Sequence, residues 1–147
     1  MNRAASIVVF GALSTLAWSL GPAFSQDSSA LPQGFEAKPL LKSTTTADGD
    51  AIQFPTGNPE IVSVIGTIAP NGRTALHQHP VPVYVYVLEG SLSVKTEGAE
   101  ARNYAAGEAF LESVGKWHQA FNESDQPARI LVVFMGEEGK PTTEAKQ

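Results

Sequence analysis

The chain has no cysteine among its 147 residues. Disulfides are therefore excluded, and the fold must rest on its apolar core alone. Basic residues are scarce too: ten Lys and Arg stand against fifteen Asp and Glu, a net charge of −5. An acidic surface argues against nucleic acid and against an anionic membrane surface as partners. Helical periodicity is also missing beyond residue 25, where no apolar repeat runs longer than about two turns. Histidine is nearly absent, with three in the whole chain, His77, His79 and His118.

The long apolar run sits at the start. Arg3 precedes a charge-free stretch from Ala4 to Leu20, and small residues follow at Ala23-Phe24-Ser25. This is the layout of a secretory signal peptide over residues 1–25, with cleavage expected after Ser25. Gly11, Ser14, Thr15 and Ser19 dilute the run, which is short for a membrane span. No cysteine follows for a lipid anchor. The expectation is an exported, periplasmic chain with no membrane contact in its mature form. Arg3 is the leader's only charge, so residues 26–147 carry nine basic and fifteen acidic side chains, net −6.

Glycine and proline are plentiful, at 13 and 10 residues, and they punctuate short β-branched runs. Residues 26–54 read as an N-terminal segment with short strands at Pro39–Lys42 and Ala51–Phe54. Strands follow at Glu60–Ala69, Arg73–His79, Val83–Glu89, Ser91–Lys95, Ala101–Tyr104, Ala109–Val114, Trp117–Phe121 and Ala128–Met135. Residues 137–147 read as a polar tail. About ten short strands with regular turns predict an all-β chain, a jelly-roll β-barrel over residues 55–136.

Strand parity orders the side chains. His77 and His79 fall on one face of their strand. Val83, Val85 and Val87 point inward. Tyr84, Tyr86 and Leu88 point outward, which suggests a sheet-to-sheet or subunit contact, a homodimer among the options. Trp117 points away from His118, either roofing a pocket or packing outside. Gly90, Gly107 and Gly115 are expected at positive φ, and Asn122 is expected to tie a strand end to its loop. Neutral imidazole is the commonest side-chain ligand of divalent transition metals, so the three histidines are the candidate ligand set.

Two stretches carry a resemblance. In GRTALHQHPVPVYVYVLEG, Gly72, His77, His79 and Gly90 resemble the first cupin motif, with the gap after Gly72 one residue short. In GEAFLESVGKWHQAFN, Gly107, Gly115, His118 and Asn122 resemble the second, with Ser113 at its proline position. The likeness to the cupin family implies a jelly-roll barrel with one metal at His77, His79 and His118. Val83 stands where most cupins place a glutamate ligand. Three-histidine cupins include dioxygenases, which implies Fe2+ first, with Mn2+, Cu2+, Ni2+ or Zn2+ as alternatives. The implied activity is dioxygenase-like oxidation of a small organic acid, enol or phenol. The alternatives are a non-enzymatic periplasmic metal- or ligand-binding cupin and a redox-neutral lyase or isomerase.

Every histidine is then a ligand, and none remains as a general base. Glu112 is a candidate fourth ligand or acid/base, against the commoner reading of a solvent-facing carboxylate. Arg73, Tyr84, Tyr86 and Gln119 are candidates to position substrate, Arg73 by a two-pronged contact with a carboxylate.

Overall fold

The computed structural model describes residues 34–146. The expected signal peptide and its cleavage site lie outside them. Lys38–Gln147 form one compact unit. Its strands are β1 (Pro59–Ile68), β2 (His77–Gln78), β3 (Val83–Glu89), β4 (Ser91–Thr96), β5 (Arg102–Ala105), β6 (Ala109–Glu112), β7 (His118–Phe121), β8 (Ala128–Glu137) and β9 (Glu144–Ala145). No helix occurs among the described residues.

Two sheets form, ordered β1-β8-β3-β6 and β5-β4-β7-β2-β9, with antiparallel pairing throughout. Alternation decides what lies between them. β3 reads VYVYVLE, and Val83, Val85 and Val87 are at most 1% exposed. Tyr84 and Tyr86 take the other face and are half-buried there. Phe110 on β6 and Ile130 on β8 join the valines from the first sheet; Leu92, Val94 and Ala120 meet them from the second. Tyr104 stacks on Phe110, with ring centroids 3.8 Å apart. This is the all-β jelly roll that the strand pattern predicts.

The β3–β4 turn shows why glycine is required at its centre. Gly90 has φ 74°, a region that side-chain-bearing residues avoid. A Cβ there would also lie 3.0 Å from the Pro127 carbonyl oxygen. Gly107 and Gly115 have positive φ as well, at 90° and 67°.

The edges depart from expectation. Pro39–Lys42 and Ala51–Phe54 are not strands; a single bridge joins Thr45 to Ala51. The turn at Asp48-Gly49 consumes the local backbone bonds instead, with Thr46 N–H donating to Asp50 and Gly49 N–H to Thr46. Ala47 N–H donates to the Leu111 carbonyl and so covers the edge of β6. The expected strand Arg73–His79 is reduced to β2 plus bridges at Arg73 and His79. The polar tail is not free: its Glu144–Ala145 becomes β9, paired with β2.

Candidate metal centre

The ladder places the histidines. His77 on β2 is the direct antiparallel partner of His118 on β7, so both rings rise from the same face at neighbouring positions. His79 follows His77 by two residues and shares that face. Their ring centroids lie 4.4 Å (His77–His118), 4.8 Å (His77–His79) and 5.1 Å (His79–His118) apart. One ligand nitrogen from each falls within 4.8 Å of the others.

Backbone carbonyls set the tautomers. His77 Nδ1 is 2.8 Å from the Ala75 oxygen, His79 Nδ1 is 2.8 Å from the Thr142 oxygen, and His118 Nδ1 is 2.9 Å from the Lys116 oxygen. A carbonyl can only accept, so each Nδ1 carries the hydrogen. In the neutral ring each Nε2 is then a bare lone pair, the arrangement that metal-ligating imidazoles adopt. Two of these carbonyls are local, two residues upstream of their histidine. The third arrives from the C-terminal segment, where Thr143 Oγ1 also lies 3.2 Å from His79 Nδ1.

Glu112 completes the cluster. It comes from β6, in the opposite sheet to the histidines, and its side chain is 10% exposed. Its Oε2 lies 3.1 Å from His79 Nε2 and 3.5 Å from His118 Nε2. The solvent-facing reading of this carboxylate is therefore overturned. His118 Nε2 is buried and makes no hydrogen bond. Lone pairs and a carboxylate that converge in a dry interior repel one another unless a cation or a proton sits among them. Burial would push the Glu112 carboxyl up, but His118 and His79, when they carry a proton at Nε2, prevail and hold it down at about 2. Burial would lower His118, yet the adjacent Glu112 carboxylate raises it. His77 is lowered, first by burial and further by the two other rings, against the pull of the Ala75 carbonyl. The donor set therefore asks for positive charge, and it suits a divalent metal.

A cavity of about 100 Å³ opens beside His77, His79 and Glu112, walled by Val85, Val132 and Phe134. The Phe134 ring stands edge-on to His79 at 5.3 Å. On the far side of Glu112 and His118, Asp48 accepts from Ser113 Oγ and lies 3.7 Å from Arg102 Nε.

The other expected site residues lie elsewhere. Arg73 is exposed and bridges Phe121 through its backbone. Tyr86 points to the outer face of β3, paired with Ala109 and Leu131. Gln119 donates to the Thr74 carbonyl. Trp117 packs outside, with Lys146 Nζ 5.4 Å from its ring centre. Thr142 and Asp48 were missed from sequence: one contributes only a backbone carbonyl, and the other lies in a turn with no motif around it.

The family described as "Cupin domain" (Cupin_2) matches residues 64–134, the span that carries all three histidines and Glu112. Those residues form a small cupin domain. This cupin is 35% identical over 65 residues to the tetracenomycin polyketide synthase protein TcmJ of Streptomyces glaucescens, covering 44% of this chain and 43% of that protein. Its fold is similar to the oxalate decarboxylase formate complex of Lactobacillus farciminis, with TM-score 0.52 and 26% identity over 58% of this chain and 26% of that one. It is also similar to the polyketide cyclase RemF of Streptomyces resistomycificus, with TM-score 0.51 and 27% identity over 62% of this chain and 63% of that one. The cupin spans less than half the length of TcmJ and about a quarter of the decarboxylase chain.

Proposed function

We propose that this cupin is an exported, periplasmic protein that holds one divalent metal at His77, His79 and His118 and oxidises a small organic acid there. The observation that carries the reading is the set of three imidazoles, each fixed through Nδ1, with one ligand nitrogen from each within 4.8 Å of the others and an apolar cavity beside His77 and His79. Three imidazoles and a carboxylate suit a divalent first-row metal, and the oxidative reading takes Fe2+ among them, with Mn2+, Cu2+, Ni2+ or Zn2+ as alternatives. When bound, such an ion supplies one-electron chemistry toward dioxygen and a Lewis-acid hold on substrate oxygens.

The chain's own residues shape the rest. Three neutral imidazoles leave an ion its full double charge, and the Glu112 carboxylate offsets one unit of it. The remaining positive charge favours an anionic substrate. Val85, Val132 and Phe134 keep the cavity apolar, which strengthens that attraction. Size narrows the class further. The cavity holds about 100 Å³, below the roughly 150 Å³ that accommodates benzene in an engineered apolar void. Small acids fit better than phenols, and better than the polyketides suggested by the names of TcmJ and RemF. Arg73 and Tyr86 stand outside the cavity and take no part in this scheme.

Elemental analysis of the purified protein, paired with oxygen uptake on two- to four-carbon acids, tests the proposal. The expected result is about one metal per chain, acid-dependent oxygen consumption, and loss of both in His118→Ala. Metal-free protein from metal-replete medium would refute it. Turnover that continues without oxygen would replace oxidation with redox-neutral chemistry.

A further inference from the structure

β3 and β6 pair with Val83 directly opposite Glu112 and Val85 opposite Phe110. Opposed residues in an antiparallel pair project from the same face, with Cβ atoms about 5 Å apart. Val83 is fully buried and faces the interior. Glu112 therefore enters the interior beside the point from which a carboxylate at Val83 would enter. A glutamate is longer than the Cβ separation, so its carboxyl can cover the same ground from either strand. Glu112 extends from the first sheet to within 3.1 Å of His79 Nε2 and 3.5 Å of His118 Nε2, both in the second sheet.

We propose that Glu112 is the fourth protein ligand of the centre, supplied from β6 in place of the carboxylate that β3 lacks. The inference rests on the metal-binding reading above and adds a residue to it. Three features of the chain support the assignment. The Glu112 side chain is 10% exposed, so bulk water does not solvate its charge. Its described neighbours at ionic distance are the two imidazoles and no Lys or Arg. The Nε2 atoms it faces belong to rings whose protons are held on Nδ1 by carbonyls. A shared cation brings the carboxylate and both nitrogens into one attractive arrangement, and a structural ion pair would not need all three.

The ladder also specifies a test. If position along the cavity wall matters and strand of origin does not, the carboxylate can be moved back across the pair. Metal-stripped wild type, Glu112→Gln, Val83→Glu and the double variant Val83→Glu/Glu112→Gln are titrated with Co2+. Visible absorption reports coordination, and calorimetry reports affinity. Glutamine keeps the shape and removes the charge. Glu112→Gln should bind at least about 100-fold more weakly, the upper end of what changes one shell further out cost. The double variant should recover at least tenfold of that loss. Val83→Glu alone should not tighten binding, because it sets a second carboxylate beside the first.

Wild type that takes up no Co2+ would refute the metal centre itself. Wild type and Glu112→Gln with equal affinity and identical spectra would leave the centre standing and refute Glu112 as its ligand. Failure of the double variant to improve on Glu112→Gln would refute the equivalence of the two strands, and so the proposed replacement.

Discussion

Asn122 shows how one side chain can be read from sequence and still do more than the reading says. It is 1% exposed. Its amide nitrogen donates toward the carbonyls of Ile68, Ala69 and Gln126 at 3.1, 3.1 and 2.7 Å. Its oxygen accepts from Ser124 N–H at 3.1 Å and Ser124 Oγ at 2.8 Å. One residue thus ties the end of β7 to the end of β1 and to the following loop. Asn122→Ala leaves several buried polar groups unpaired, at about 1–3 kcal/mol for each that water cannot reach. Urea unfolding should show a loss of about 3 kcal/mol, and a loss below about 1 kcal/mol would mean water repairs the site. The histidines were legible for a similar reason: residue type and strand parity together restrict what they can be. Glu112 was only half legible. Its position beside His79 depends on the β3–β6 register, and neither composition nor periodicity encodes which residue of one strand faces which of the next.

The strands with alternating or β-branched runs, β1, β3, β4 and β8, emerged close to their expected bounds because a half-buried face imposes its own period. The failures lie where backbone bonds rather than side-chain pattern place the chain: Ala51–Phe54, where Ala51 bridges Thr45 and Ile52 N–H donates to Thr44, and the C-terminal segment, which pairs with β2. The last of them matters for the site. Lys146 N–H donates to the Leu76 carbonyl, Gln78 Nε2 donates to Glu144 at 2.7 Å, and the Thr142 carbonyl orients His79. A segment that reads as polar tail is thus the outer support of one ligand. No side-chain substitution removes a backbone carbonyl, so the test is truncation after Lys140. The barrel core lies upstream of the cut and should remain folded, with little change in near-UV dichroism. Metal affinity should fall about 10–100-fold, the usual consequence of removing a ligand's hydrogen-bond partner. Unchanged affinity in the truncated protein would show that packing alone holds the His79 ring.

The molecule as a whole is two sheets held together by a small apolar core, with no disulfide to assist. The candidate centre stands at the join. Its histidines come from β2, β7 and the residues just after β2, and its carboxylate comes from β6 across the interior. An ion bound there links the sheets, and its ligands come together only in the folded chain. Ligands that bind the native state alone stabilise it by mass action, by about 2.7 kcal/mol when free metal is 100 times the dissociation constant. For a body of this size, each kcal/mol moves the melting temperature by roughly 4 °C. Chelation should therefore lower the melting temperature by about 10 °C relative to metal-saturated protein. His118→Ala should melt at one temperature whether metal is added or removed. If loaded and stripped wild type melt together while elemental analysis confirms the loading, the ion must bind the unfolded chain equally well. The histidines would then be donors that happen to lie close, and the closure of the two sheets would owe nothing to them.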